Sequence, residues 1–187
     1  MISKPTGAAH YDLVIIGGGP SGSTVASLAR KYNPSLRVLI LEKEKFPRDH
    51  VGESQLPGVS SVLAEMGVWD TVEAAGFPVK IGASYTWGRE NESWEFDFYP
   101  VDRFEVRPRP ERYEGQRLRT AFQVDRAAYD DILLRHAEGL GTEVREQTKV
   151  DEVMREGDRV TGLRLSDGST VTGTHYVDEI GRASGRG

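Results

Sequence analysis

The chain opens, after a short polar lead, on two apolar runs separated by a segment of small residues. Leu13 to Ile16 is an unbroken β-branched and leucine run of the kind that suits a parallel strand buried on both faces, and it ends in three glycines. The segment from Pro20 to about Lys31 reads as a helix, closed by Asn33-Pro34, and Arg37 to Leu41 forms a second apolar strand that ends at Glu42. Leu56, Val59, Leu63 and Met66 recur at helical spacing up to Gly67, and a shorter helix around Trp69 to Ala75 stops at Gly76. Ala83, Tyr85 and Trp87 then alternate with polar residues, as do Trp94, Phe96 and Phe98. This predicts two strands joined by a polar turn and carrying the wall of a substrate pocket. Asp125 is placed as the N-cap of a helix whose inner face is Tyr129, Ile132, Leu133, His136 and Ala137, with Gly139 or Gly141 at its stop. Thr142 to Glu146 is a short strand, and Val150 to Arg155, Val160 to Leu165 and Thr170 to Val177 form a meander turned at Gly157 and Gly168. The pattern as a whole is α/β: a Rossmann-like parallel sheet with a β-meander, plus a β-rich region in the middle of the chain.

The first strand, turn, helix and second strand together make a nucleotide cradle. Gly17, Gly19 and Gly22 occupy the glycine positions of G-x-G-x-x-G: the first for a tight turn, the second so that backbone can approach a pyrophosphate, the third for close helix–strand contact. Pro20 and Ser21 start a helix whose N-terminal amides and positive dipole end suit a phosphate. Glu42, about 20 residues beyond the last glycine, is placed to accept hydrogen bonds from ribose hydroxyls, which favours FAD or NAD over NADP.

Composition narrows the remaining possibilities. A net charge of −5 argues against general affinity for nucleic acid or anionic membranes, and leaves a small molecule as the expected partner. There is no cysteine, so no disulfide, thiolate metal site or thiol nucleophile enters the account; no metal ligation is expected. No window approaches a transmembrane span and the N-terminus lacks a secretion signal, so a cytoplasmic location is the default expectation. Between Val101 and Thr120 six arginines face four carboxylates. A solvated, mobile loop is the favoured reading of that stretch, with a lid or docking surface for an anionic group as the sharper alternative. His136 has no acidic partner at a convincing spacing and is read as a face residue.

The combination of GGGPSG, FPRDHVGES, GFPVKIG and FQVDRAAYD resembles the flavin-dependent halogenases of the p-hydroxybenzoate-hydroxylase-like FAD superfamily, over nearly the whole chain to about Asp178. That resemblance implies an FAD-binding domain begun over residues 1–55, a helical and β-strand insertion towards the substrate over 56–120, and a return to the FAD-binding domain over 121–178. It brings forward Arg48, Gly52, Glu53 and Ser54 as residues lining the flavin and Gln123 as a further cofactor contact. Arg126 is a weaker candidate, since a first-turn arginine could equally face solvent. Lys43 and Asp178 complete the cofactor set. Lys80, in Phe77-Pro78-Val79-Lys80-Ile81-Gly82, stands where these enzymes place their essential lysine. The implied reaction uses reduced FAD, supplied by a separate flavin reductase, with oxygen and chloride or bromide to form hypohalous acid. Lys80 passes the halogen to an electron-rich phenol or pyrrole, free or tethered to a carrier protein. A lysine suits this work, because its ammonium can polarise hypohalous acid and its amine can capture the halogen.

The chain also departs from that family. It has no Trp-x-Trp-x-Ile-Pro motif and no later Gly-Asp motif, and halogenases of this type continue well past 187 residues. After Asp178, where Ala-Ser-Gly is expected, Glu179 to Gly187 resembles the translation of a sequencing adapter and is read as a non-native tail. The expectation is therefore an N-terminal portion of a larger halogenase, inactive by itself. The alternatives are an FAD-dependent monooxygenase or prenyl reductase of the same superfamily, or an inactive FAD-binding fragment.

Overall fold

The computed structural model describes residues 10–89 and 92–179. Two residues of the expected 88–93 turn and positions 180–187 of the expected tail lie outside them. The chain forms two compact units, one built from residues up to Arg48 together with those from Leu133 onward, the other from Asp49–Ile132. The boundaries read from the sequence, at 55/56 and 120/121, both fall inside the second unit, so Gly52, Glu53, Ser54 and Gln123 share a unit with Lys80.

The elements in chain order are β1 (His10–Ile16), α1 (Pro20–Tyr32), β2 (Val38–Leu41), α2 (Gly58–Met66), α3 (Trp69–Ala74), β3 (Val79–Lys80), β4 (Gly82–Trp87), β5 (Glu92–Asp97), β6 (Ala121–Phe122), α4 (Arg126–Gly139), β7 (Glu143–Arg145), β8 (Val150–Glu156), β9 (Arg159–Leu165) and β10 (Thr170–Asp178). The first unit is a six-stranded sheet of order β7-β2-β1-β10-β9-β8. Its first four strands run parallel, and β9 and β8 continue antiparallel from β10. Along Val14–Ile16 and Val38–Leu41 alternate residues divide between the two faces, as the strand period requires, whereas Tyr11 at the start of β1 joins the Val14 side out of step. Tyr11, Val14, Ile16, Leu39 and Leu41 pack with Leu163, Leu165 and Val171 on one side. Ile15, Val38 and Ile40 pack with Ala26, Phe46, Leu134 and Ala137 on the other, under α1 and α4. All four residues of β2 are buried, which is why it reads as an uninterrupted apolar run. Asp125 caps α4 as expected, accepting from the amides of Ala127 at 2.8 Å and Ala128 at 3.2 Å. No helix among the described residues is long and apolar enough to cross a membrane.

In the second unit, α2 ends at Gly67 in the left-handed conformation, with φ of 84°, and α3 follows directly. β4 and β5 pair antiparallel as a two-stranded hairpin. Tyr85, Trp94 and Phe96 cluster on it at centroid distances of 5.1 to 6.3 Å and stay substantially exposed.

The arginine-rich stretch corrects the expectation of a solvated loop. Arg117 and Glu73 are both buried, and the Arg117 Nε lies 2.6 Å from Glu73 Oε1. Arg109 approaches the other oxygen of Glu73 at 2.8 Å and donates to the Phe77 carbonyl at 2.7 Å. Arg117 also reaches Glu111 at 3.2 Å, and the Glu111 carbonyl accepts from the Trp69 indole at 2.8 Å. The stretch is thus fastened to α3 by ions inside the unit, while Arg103, Arg107, Arg112 and Arg119 remain exposed. Charges withdrawn from water in this way are costly unless each has a partner of opposite sign.

Two predictions follow from this packing. Glu73→Ala takes from Arg109 its carboxylate and leaves buried Arg117 with Glu111 alone, and should lower the free energy of unfolding by about 3–5 kcal/mol, read from urea denaturation. Tyr129 packs its ring edge against Phe77 at 6.2 Å. Burial pushes its phenol up to about 12, against the pull of a hydrogen bond from the Gln55 side chain. A folded pKa above the unfolded value of about 10 gives stability that is whole below pH 10 and is lost as pH rises towards 12. Tyr129→Phe should therefore flatten the fall in stability across that window, measured by urea denaturation at a series of alkaline pH values.

Candidate functional site

The first unit holds the glycine turn. Gly17, at the end of β1, has φ of 106°, a conformation that side chains rarely adopt. A methyl group on Gly22 would lie 2.0 Å from the Gly17 carbonyl oxygen, so only glycine lets α1 start this close to the strand. Gly19 is the N-cap of α1 and Pro20 its first residue; there is no side-chain cap and no acidic residue in the first turn. The first amides of a helix have no intrahelical partners, so this N-terminus offers donors and an unneutralised dipole to an anion. Ser21 is exposed at that point.

Glu42 is buried, and its two oxygens accept from the backbone amides of Gly18 at 2.7 Å and Glu44 at 2.8 Å. It ties the turn after β1 to the turn after β2, and each oxygen keeps a second lone pair for a hydroxyl donor. Lys43 is exposed and lies 3.9 Å from Glu44. Arg48 stacks its guanidinium over the Phe46 ring at 4.6 Å, and its Nη2 lies 3.7 Å from where a Gly19 Cβ would be. The fold thus brings Arg48 to the glycine turn from 29 positions away along the chain. Asp178 pairs with Ile16 in the parallel register, at the same end of the sheet as the glycines. Turn, helix start, buried acid and arginine together fit the adenosine and diphosphate of a dinucleotide.

The second unit holds the lysine. β3 pairs antiparallel with β6, with Lys80 opposite Ala121 and Val79 opposite Phe122. On the other edge of β6 lies the Glu53–Gln55 stretch: the Gln55 amide donates to Phe122 at 3.1 Å, the Val124 amide to Glu53 at 2.9 Å, and Ser54 bridges to Gln123. Three segments far apart in sequence therefore form one small sheet, which places Glu53, Ser54, Lys80 and Gln123 together. The Lys80 ammonium donates to Ser54 Oγ at 2.7 Å and to the Gln55 carbonyl at 3.0 Å, and lies 5.3 Å from the centroid of the Phe98 ring.

Arg126 does not face solvent. It grips buried Asp130 with two bonds of 2.7 and 2.9 Å and donates to the carbonyls of Val51 and Gly52, fixing the turn at Gly52, whose φ is 96°. The partners of Lys80 escaped sequence reasoning in two ways. The Gln55 contact is through backbone, which leaves no mark in residue identity, while Phe98 appeared only as a strand residue. Among the described residues no cluster of histidine and carboxylates is arranged to hold a metal.

Comparison with known proteins identifies the family. A family model described as tryptophan halogenase matches residues 12–107 and 99–185. A 1H-pyrrole-2-carbonyl-[peptidyl-carrier protein] chlorinase from Pseudomonas fluorescens is 36% identical over 179 residues, covering 92% of this chain and 39% of the relative. Tryptophan 2-halogenase from Chondromyces crocatus is 34% identical over 175 residues, covering 93% of this chain and 30% of that protein. Among solved structures, the myxobacterial chondrochloren halogenase CndH, described as a variant of FAD-dependent halogenases, is similar with a TM-score of 0.72 and 38% identity, over 90% of this chain and 37% of that one. The chain therefore spans less than two fifths of the length of these relatives, and across that span it belongs to the tryptophan halogenase family.

Proposed function

We propose that this chain serves an FAD-dependent halogenase that acts on an electron-rich aromatic ring, a phenol or pyrrole, with Lys80 as the residue that handles the halogen. The observation that carries this reading is the fixed Lys80 ammonium, held by Ser54 and the Gln55 carbonyl in a sheet that also contains Glu53 and Gln123. The relatives support the reaction class, and the carrier-bound pyrrole named for the chlorinase supports a tethered substrate. FAD, when bound and reduced by a separate flavin reductase in the cytoplasm, supplies the two electrons with which oxygen converts chloride or bromide to hypohalous acid and water.

On this reading Gly17, Gly19, Pro20, Ser21 and Gly22 would receive the diphosphate at the α1 N-terminus and Glu42 the ribose, with Lys43, Arg48 and Asp178 around that turn. Gly52, Glu53, Ser54 and Gln123 would line the flavin. Lys80 donates a hydrogen bond to the oxygen of hypohalous acid and so makes the halogen electrophilic. The ring carbon then bonds to halogen as the oxygen–halogen bond breaks, the departing hydroxide takes a proton from the Lys80 ammonium and leaves as water, and the displaced ring proton passes through solvent to restore that ammonium.

The test is to purify the complete reading frame that holds this chain. It is supplied with FAD, a flavin reductase with its nicotinamide, oxygen, chloride or bromide, and a panel of phenols and pyrroles, free and carrier-bound. Products are read by mass spectrometry. Lys80→Ala should cut halogenation by about 10²-fold or more while FAD binding and oxygen consumption persist. Halogenation that survives in the variant, or hydroxylated products from the unaltered enzyme, would overturn the proposal.

A further inference from the structure

The surroundings of Lys80 hold more than its place in the chain. Its partners among the described residues are all neutral: a hydroxyl, a backbone carbonyl and an aromatic face. The geometry points to Ser54 as the positioning residue for Lys80, acting through a bond across the small sheet. This inference rests on the reading of Lys80 as the reactive residue, and it gives Ser54 a role separate from any contact with a cofactor.

Three features support it. First, the bond crosses a strand. Lys80 is paired with Ala121 on β6, and Ser54 lies on that strand's other edge. Cross-strand partners project from the same face, so the lysine stem passes the small methyl of Ala121 to reach its acceptor. Second, Ser54 is fixed on both sides. Its bridge to Gln123 is flanked by the Glu53–Val124 and Gln55–Phe122 hydrogen bonds, and the turn before it is gripped by Arg126, itself locked on Asp130. Third, the acceptor chemistry leaves the ammonium a use. An ammonium has three donors. Two are taken by Ser54 and Gln55, which leaves the third, and among the described residues no carboxylate pairs with it. A hydroxyl can also donate, so Ser54 suits the lysine in its amine form as well, which the Gln55 carbonyl cannot do.

The test reads Lys80 directly. The complete reading frame is treated at neutral pH with a limiting amount of a lysine-acylating ester, and the labelling of each lysine is quantified by peptide mass spectrometry. Exposed Lys43, Lys45 and Lys149 serve as internal standards. Ser54→Ala removes an acceptor and loosens the ammonium, so acylation of Lys80 should rise by about threefold to tenfold relative to the standards. Ser54→Thr, which keeps the hydroxyl, should return it to the original rate. In the halogenation assay Ser54→Ala should lower kcat with little change in KM for the aromatic substrate, again restored by threonine. An unchanged Lys80 labelling rate in Ser54→Ala, or a threonine variant that behaves like alanine, overturns the inference. Because labelling does not depend on turnover, a Lys80→Ala enzyme that still halogenates would defeat the proposed function and leave the labelling result to stand or fall alone.

Discussion

The close approach of α1 to β1 is the constraint on which the first unit depends. At Gly22 the helix runs so near the strand that a single added methyl would sit 2.0 Å from the Gly17 carbonyl oxygen. That contact fixes where the helix begins, and hence where its unpaired amides point. The Glu42 carboxylate then locks the arrangement from beneath, because its oxygens take the amides of Gly18 and Glu44 in the turns that follow β1 and β2. A buried carboxylate is costly without such donors. The residue that sequence spacing assigns to a ribose is thus part of the scaffold, and the proposed ribose contact would use lone pairs that the amides of Gly18 and Glu44 leave over.

The second unit treats its charges in two contrasting ways. Around α3, Glu73 is buried between Arg117 and Arg109, and these ions hold the 109–117 stretch and the Phe77 carbonyl. Phe77 is followed directly by Pro78, Val79 and Lys80, so a network of paired ions stiffens the segment that presents the lysine. At Lys80 itself the partners among the described residues are neutral. Where the fold needs rigidity the charges cancel, and where the proposed chemistry needs a cation the charge is left standing.

Much of this was legible in the sequence. The nucleotide turn was, because strand, glycines, helix and acid are local and each has its own physical reason. So was the cap at Asp125, whose side chain bonds only two and three residues ahead. What escaped depends on contacts between distant segments. The parallel pairing of β1 with β10 joins residues such as Ile16 and Asp178, which no local pattern connects. Arg117 looked like its exposed neighbours because burial of an arginine depends on Glu73, more than 40 positions earlier. Leu134 was passed over in favour of its neighbours on the helix, yet it is fully buried against the sheet. The link from Lys80 to Ser54 and Gln55 is of the same kind, since it exists only because β6 passes between β3 and the 53–55 stretch, which are 25 residues apart at Gln55 and Lys80.

Neutral acceptors also explain why a lysine, and not an arginine, fits this place. A guanidinium spreads its charge over a planar fork and is best satisfied by a carboxylate that matches it with two bonds, as Arg126 is by Asp130. An ammonium concentrates its charge at one atom and arranges three donors around it. Held by one hydroxyl and one carbonyl, it keeps one of its three donors, while the Phe98 face adds attraction without neutralising its charge. Replacing Ser54 by an acid would tighten the grip and remove the property that makes the grip useful, because the charge would be spent on the protein. The small sheet therefore restrains the end of a flexible side chain with neutral groups, which leave uncancelled the charge that the proposed chemistry would use.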